Sequence, residues 1–266
     1  MVTFYRRLPK FEYLNPRTLE EAISLLAKYR RKARVMAGGT DLVPKLKQRV
    51  ITAPEFIIDL KGIPGLDYIK HTPGEGLKIG ALATIADIEK SAVVKEKYGI
   101  LAEAAATMAS PQVRHRGTIA GNICNAVPSA DAAPSLLVLE AKVKLVSKKG
   151  ERTLNITEFF KGPSETVLKP DELLTEIQIP ELPVGYKGKY TKLSPRRAMD
   201  LAVVGVAVLM VCDGEKCKDI KIALGAVSLP MIIFYPFWLP ILLAWSLFQQ
   251  FIGSERFFFQ REECSS

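Results

Sequence analysis

Ala37-Gly38-Gly39-Thr40-Asp41 is one of two glycine-bearing stretches that decide the fold of this chain, and Thr118-Ile119-Ala120-Gly121-Asn122 is the other. Each stands where a short apolar segment meets a helix-like one. Glycine lacks a Cβ and tolerates positive φ, so main-chain N–H groups can approach a ligand closely. Successive N–H groups in such turns, beside a helix N-terminus, form concave anion sites. One such loop alone is usually a plain turn, but two that face each other can hold a diphosphate from both sides.

The familiar nucleotide-binding motifs are absent from both stretches. Neither contains the G-x-G-x-x-G pattern that opens a helix in dinucleotide-binding folds, and the chain has no G-x-x-x-x-G-K-[ST] phosphate loop. The sequence therefore argues against a Rossmann dehydrogenase and against a nucleoside triphosphatase.

Hydrophobic periodicity predicts two α/β units in the first two thirds of the chain. In residues 1–60, Thr18 and Glu21 form a capping-box pattern, and the residues after them repeat as one buried helix face. A short strand should then deliver the first glycine loop. Residues 61–178 form the second unit, which contains the second loop, a helix over 131–139 and a strand with one solvated face over 141–145.

The remainder of the chain changes character. Residues 179–228 are rich in β-branched residues, and the nearly continuous apolar run 201–211 predicts a central strand buried on both faces. The expected fold class is thus α/β to α+β, with an antiparallel sheet in the C-terminal part.

Composition limits the classes of function. The 266 residues carry a formal net charge of +9, but the basic residues are scattered and no aromatic stacking surface is interleaved with them. We therefore expect docking to acidic partner proteins and no nucleic-acid binding. The four cysteines form no C-x-x-C pair and the two histidines lie far apart, so we expect no metal or iron–sulfur site in this chain. The first residues lack the apolar core of a secretion signal, which predicts a cytoplasmic location.

Several further motifs occur in a fixed order around the two loops. They are Phe11-Glu12-Tyr13, Ile79-Gly80-Ala81, Ser110-Pro111-Gln112-Val113-Arg114, Pro128-Ser129-Ala130-Asp131, Asp171-Glu172-Leu173-Leu174, Tyr190-Thr191-Lys192-Leu193 and Ala223-Leu224-Gly225-Ala226-Val227. Together with the loops, this order resembles the FAD-binding (medium) subunit of molybdenum hydroxylases, the group that includes carbon monoxide dehydrogenase, aldehyde oxidoreductases and xanthine dehydrogenase. The resemblance covers about residues 3–228.

The resemblance implies the fold and the cofactor. It implies a two-subdomain FAD-binding fold of the vanillyl-alcohol-oxidase type, followed by a C-terminal domain that is truncated or altered here. The cofactor of this chain would be FAD, bound without a covalent link. The residues that the resemblance places around it are Ala37, Gly38, Gly39, Thr40, Asp41, Leu42, Ala109, Thr118, Ala120, Gly121, Asn122, Asp131, Leu174 and Lys192. The family usually has a glycine where Ala120 stands, and its methyl group is tolerable only if φ is negative there.

Some of these residues have simpler alternatives that the sequence leaves open. Asp41 and Asp131 each precede a predicted helix and are also consistent with ordinary helix caps. Lys192 is equally consistent with a surface lysine or a position beside the flavin. Arg114 and His115 are either structural or face a partner subunit.

No nucleophile, base and acid come together in the sequence, and we predict no catalytic residue. That fits a flavoprotein, in which the cofactor carries the redox chemistry. The resemblance implies an oxidoreductase subunit that works in a heteromer: a large subunit with a molybdenum cofactor oxidises the substrate, and a small subunit with two [2Fe–2S] clusters passes electrons to the FAD. The alternatives are the FAD subunit of a benzoyl-CoA-type reductase, with the opposite electron flow, and a membrane-anchored binding protein.

The tail, residues 229–266, departs from the resemblance. Residues 231–252 contain no charge and are long enough to cross a bilayer, but Pro236 and Pro240 interrupt them. Three explanations stay open: a shift of reading frame, a membrane anchor, or a divergent buried segment. Neither the substrate nor the terminal electron acceptor follows from the sequence.

Overall fold

The computed structural model describes residues 7–196, 200–213, 216–226 and 232–234. Its strands are β1 Glu12–Leu14, β2 Ala33–Met36, β3 Phe56–Asp59, β4 Ile69–Thr72, β5 Gly76–Gly80, β6 Lys142–Ser147, β7 Gly150–Asn155, β8 Phe160–Gly162, β9 Glu165–Thr166, β10 Leu173–Ile179, β11 Tyr186–Leu193, β12 Val204–Asp213, β13 Lys216–Gly225 and β14 Ile232–Phe234. Its helices are α1 Leu19–Tyr29, α2 Leu42–Gln48, α3 Ile85–Lys90, α4 Ala92–Lys97, α5 Gly99–Thr107, α6 Pro111–Arg114, α7 Ile119–Asn125, α8 Ala132–Val138 and α9 Ile156–Phe159.

The first sheet is parallel and has three strands in the order β1-β3-β2. Helix α1 packs on it through Ala22, Ile23 and Leu26, as the periodicity predicts. The Thr18 hydroxyl caps this helix by accepting from the Glu21 N–H. The Glu21 carboxylate accepts a hydrogen bond of 2.8 Å from the Arg17 N–H. In a standard capping box it would accept from the N–H of the N-cap residue, here Thr18. Because all three strands are parallel, the loop that follows β2 lies at their common C-terminal edge.

The second sheet contains five strands in the order β4-β5-β10-β6-β7, all paired antiparallel. It encloses the main core together with α5, α7 and α8. The prediction of a strand with one solvated face over 141–145 is confirmed, because Val143 and Leu145 are buried whereas Lys142 is exposed. Helix α8 also forms where it was predicted, and each of its residues is buried.

The third sheet is antiparallel, with the order β11-β12-β13-β14. Strand β12 is central, as predicted, but its burial on both faces is not observed. Ala207 and Leu209 are buried, whereas Val206 and Val208 are half-buried and Leu201, before the strand, is 71% exposed. The reason is that, among the described residues, α5 and α8 pack on one face of this sheet only.

Strands β8 and β9 form a fourth, two-stranded antiparallel sheet between β7 and β10 in the sequence. The three larger sheets follow one another along the chain, and the predicted fold class is confirmed. The division into domains at residues 60 and 178 stays a prediction. Residues 229–266 lie outside the described residues except for the backbone of β14, so the three explanations for the tail are not decided. No helix within the described ranges is long and apolar enough to cross a membrane.

Candidate functional site

The first glycine loop connects β2 to α2. Gly39 has φ of +74°, a conformation that a residue with a side chain adopts only at a cost. Asp41 precedes α2, but its carboxylate makes no capping hydrogen bond, so the simple explanation of this residue as a helix cap is not observed. The side chain of Asp41 is exposed, yet the surrounding protein raises its pKa by desolvation while Lys45 opposes that shift. The loop thus presents a carboxylate that accepts no hydrogen bond from the described residues.

The second glycine loop opens α7. The Thr118 hydroxyl accepts a hydrogen bond of 3.0 Å from the Gly121 N–H and so caps the helix from within. Ala120 lies in the first turn with negative φ and is 3% exposed, so its methyl group packs inside the protein without backbone strain. The replacement of the usual glycine by Ala120 is therefore compatible with this loop.

The two loops meet. A Cβ added to Gly38 would stand 2.0 Å from the Arg116 carbonyl oxygen and 2.8 Å from the Gly117 Cα, so the first loop lies directly against the segment that leads into the second. A Cβ on Gly117 would in turn stand 3.2 Å from the Thr40 hydroxyl. The predicted facing of two glycine loops is thus present in the structure, with main chain against main chain.

A further contact joins the helices that follow these loops. Lys45 of α2 donates a hydrogen bond to the side-chain carbonyl of Asn125 in α7. This bond ties the middle of α2 to the last residue of α7. The loops are therefore held as one unit.

Asn122 gives the clearest indication that a ligand binds at this site. Its Oδ1 is buried and has no hydrogen-bond partner, and it is the sole such side-chain atom within the described residues. A buried acceptor without a partner costs about 1–3 kcal/mol. A donor such as a sugar hydroxyl or an aromatic ring N–H would remove that cost, and FAD offers both types of group.

Asp131 and Lys192 form a buried ion pair beside the second loop. The Lys192 Nζ lies 2.8 Å from one Asp131 oxygen, and the two side chains are 7% and 8% exposed. Tyr190 donates its hydroxyl to the other oxygen at 2.8 Å, and Lys192 also donates to the Thr107 carbonyl. Burial raises the pKa of Asp131, although Lys192 and Tyr190 oppose that shift.

This pair settles two of the open alternatives. Asp131 makes no capping hydrogen bond to α8, and Lys192 does not lie on the surface. Because Lys192 is on β11 and Asp131 precedes α8, their pair fastens the third sheet to the region of the second loop. A contact of either residue with FAD stays a prediction.

Two other predicted residues have less direct placements. Ala109 has φ of +42° and lies in the bend between α5 and α6. Two residues earlier, the Thr107 carbonyl accepts a hydrogen bond from Lys192. Leu174 lies on β10 in the main core and is 3% exposed, so little of its surface faces any cavity. Their roles toward FAD also stay predictions.

Arg114 and His115 have protein partners. Arg114 binds the Glu89 carboxylate through two nitrogens, at 2.8 and 3.4 Å, and donates to the Met108 carbonyl. His115 bonds to the Pro111 carbonyl through Nδ1 and to Lys90 through Nε2. Arg114 therefore has a structural role, and both ring nitrogens of His115 are engaged by protein groups.

Sequence reasoning missed a network that holds the first loop. The Lys61 ammonium donates to the Ala37 carbonyl at 3.1 Å and to the buried Asp59 carboxylate at 2.6 Å. Tyr13 donates its hydroxyl to the other Asp59 oxygen. Burial acts to raise the pKa of Asp59, but the hydrogen bonds from Lys61 and Tyr13 outweigh it and lower the pKa overall. Tyr13 belongs to one of the ordered motifs, but no motif marks Asp59 or Lys61, and only the parallel pairing of β1 and β3 brings Tyr13 to them.

Replacement of Lys61 should therefore loosen the first loop. In Lys61→Met the Ala37 carbonyl loses its charged donor, which is worth about 1.5–3 kcal/mol. We expect FAD affinity to fall about 10-fold, as measured by flavin fluorescence on titration. Lys61→Arg should restore part of that affinity, and Lys70→Met, at an exposed position of β4, should leave it unchanged. Equal affinity of Lys61→Met and wild type would show that this contact does not position the loop.

No group of three or more His, Cys, Asp or Glu side chains suited to a metal ion occurs in the parts of the chain that the structure describes.

Comparison with known families gives two matches that together span most of the chain. Residues 9–182 match the family described as FAD binding domain in molybdopterin dehydrogenase. Residues 189–235 match the family described as CO dehydrogenase flavoprotein C-terminal domain. The first match alone covers more than half of the 266 residues and contains both glycine loops.

Individual proteins agree with these matches. The chain is 39% identical over 219 residues to the glyceraldehyde dehydrogenase medium chain of Sulfolobus acidocaldarius, an alignment that spans 82% of this chain and 76% of that one. It is 37% identical over 220 residues to the carbon monoxide dehydrogenase medium chain of Hydrogenophaga pseudoflava, spanning 83% and 76%. The solved structure of carbon monoxide dehydrogenase from that organism superposes with a TM-score of 0.82 and 35% identity, covering 85% of this chain and 78% of that one.

Proposed function

The chain belongs to the FAD-binding medium subunits of the molybdopterin dehydrogenases, and from this premise we propose that it is the electron-transfer subunit of a heteromeric molybdenum hydroxylase. In this proposal it takes electrons from [2Fe–2S] clusters on a small partner subunit and passes them to an external acceptor. Substrate is oxidised at a molybdenum cofactor on a large partner subunit. The chain is thus an oxidoreductase subunit whose own cofactor is FAD.

The observation that carries the proposal is the contact between the two glycine loops, with the orphaned Asn122 Oδ1 beside it. FAD combines a diphosphate with ribityl and ribose hydroxyls. The loop from Ala37 to Leu42 would line one side of the diphosphate, and Thr118, Ala120, Gly121 and Asn122 the other. Asp131, Lys192, Ala109 and Leu174 would complete the pocket.

The protein residues have separate tasks in this proposal. FAD supplies the redox chemistry when bound. The close packing at Gly38 holds the two loops at one spacing, and Asn122 accepts a hydrogen bond from a ligand hydroxyl or N–H. The Asp131 carboxylate is neutralised by Lys192, so the pocket carries no unpaired negative charge there. No residue is proposed to act as a base or a nucleophile.

A need for partner subunits is supported by the relatives, which are named as the medium chains of glyceraldehyde dehydrogenase and carbon monoxide dehydrogenase. The sequence has no C-x-x-C pair for an iron–sulfur cluster. In this proposal the substrate-oxidising site is supplied by another subunit. A cytoplasmic location is also proposed, supported by the low cysteine content of four in 266 residues, since disulfide-dense chains belong to oxidising compartments.

The single chain should not oxidise a substrate by itself. We expect the purified protein, loaded with FAD, to keep its flavin absorbance when aldehydes, carbon monoxide or purines are added without air. After reduction with dithionite, the same sample should pass electrons to a dye acceptor, which shows that the flavin is accessible. Substrate-dependent bleaching of the flavin in the absence of molybdenum would overturn the subunit assignment.

A further inference from the structure

A basic groove lies on the other side of the first sheet from the glycine loops. It is an open cavity of about 710 Å³ between the end of α1, the β6–β7 turn and the segment before β10. Six cationic residues line it: Lys28, Arg30, Arg31, Lys32, Lys149 and Lys169. Among the described residues, the acidic side chains in its lining are those of Asp171 and Glu172. We call this cavity the basic groove.

The acidic residues of the basic groove are already neutralised. Glu172 is 6% exposed and binds Arg152 at 2.8 Å, while Asp171 is 15% exposed and pairs with Arg30 at 3.6 Å. The cationic side chains are far more open, with Lys169 at 64%. What the groove presents to solvent is therefore positive charge.

Two of its cations have no partner in the described part of the chain. The side chains of Arg31 and Lys149 are exposed and make no hydrogen bond or ion pair with the described residues, and they come from different walls of the groove. Like charges that converge on one concave surface repel each other unless an anion lies between them. The walls of the basic groove therefore attract an anionic ligand.

The basic groove is separate from the FAD site. Arg31 and Lys32 come directly before β2, whereas the first glycine loop comes directly after it. Because β2 has four residues, about 13 Å of strand lies between them. An occupant of the groove would therefore not compete with FAD.

We propose that the basic groove is a docking site for an acidic polypeptide segment of a partner protein. Exposed, flexible cations spread over three chain segments suit an extended chain of carboxylates. A small phosphate ligand would instead need buried donors that converge on one point, and the charged ends in this groove are exposed. The proposed function needs a stable contact with partner subunits, and charge complementarity of this kind guides such contacts.

The test uses the full-length chain and a fluorescein-labelled hexaglutamate peptide as the probe. Binding is followed by fluorescence anisotropy at low ionic strength for wild type and for Arg31→Glu/Lys149→Glu. We expect the peptide to bind wild type and to bind the variant about 10-fold more weakly, since two attractions become repulsions. A matched control, Lys70→Glu/Lys95→Glu, makes the same change in net charge at exposed sites away from the groove and should bind like wild type.

Three results would overturn the proposal. The first is a wild type that does not bind the peptide. The second is an equal loss of binding in both double variants, which would mean that net charge alone explains the binding. The third is binding of tripolyphosphate that depends on Arg31 and Lys149 while the peptide does not bind. FAD content is measured on each sample. Because the groove lies away from the loops, we expect it to be equal in all of them, and a failure of peptide binding with normal FAD content would leave the flavoprotein assignment intact.

Discussion

Gly38→Ala should remove FAD binding almost completely. The added methyl group would stand 2.0 Å from the Arg116 carbonyl oxygen, a backbone atom that cannot rotate away as a flexible side chain would. One loop must then move away from the other, and overpacking of this kind costs about 3 kcal/mol. If this cost destabilises only the FAD-bound conformation, FAD affinity decreases about 100-fold. Isothermal titration of the apoprotein with FAD measures this directly.

A glycine elsewhere provides the control for this variant. Gly99 begins α5, and a Cβ at that position would meet no atom within 4 Å. Gly99→Ala should therefore bind FAD as wild type does, with the same unfolding temperature. If Gly38→Ala retained wild-type affinity, the two loops would not need their observed spacing to hold the cofactor.

Lys192→Met should cause the largest loss of stability. It leaves the Asp131 carboxylate buried with Tyr190 as its remaining side-chain partner. Removal of one member of a buried ion pair costs about 3–5 kcal/mol, because the other charge stays uncompensated. Urea unfolding followed by circular dichroism gives the difference in the free energy of unfolding. Lys142→Met, at an exposed position of β6, is the control and should be close to neutral.

The effect of Lys192→Met should depend on pH in a defined direction. The pKa of Asp131 is raised by burial in the wild type and rises further when Lys192 is absent. In the window between the unfolded pKa and the raised folded pKa, the native state holds a proton that the unfolded state has lost, so stability falls as pH rises. The variant should therefore be more stable relative to wild type in mildly acidic buffer than in alkaline buffer. A loss that does not change with pH would mean that Asp131 is not the residue left uncompensated.

Local sequence patterns predicted the elements that depend on neighbouring residues. The capping hydroxyl of Thr18, the buried face of α1 and the alternation along β6 all follow from spacings of two to four residues. The facing of the two loops was also predicted, although only from the chemistry of a diphosphate and from resemblance. The direct packing of Gly38 on Arg116 and Gly117 needed the structure.

Structural features that depend on contacts between distant segments could not be predicted from the sequence. The Lys61–Asp59–Tyr13 network depends on the order β1-β3-β2, which no local pattern encodes. The burial of β12 was overestimated because an apolar, β-branched run predicts a strand without showing how many of its faces are covered. A similar limit applies to Asp41 and Asp131. In a sequence, an acidic residue before a helix is consistent with a helix cap whether or not its side chain makes the capping hydrogen bond, and here neither does.

The most direct test of the central claim, that the paired glycine loops hold FAD, is the amount of flavin released by acid from the full-length chain. Purified wild type, incubated with FAD and freed of excess, should release one FAD per chain into the acid supernatant. Gly99→Ala should release the same amount and Gly38→Ala almost none. Flavin that stays with the precipitated protein would contradict non-covalent binding. Equal release from Gly38→Ala and wild type would contradict the role of the loops.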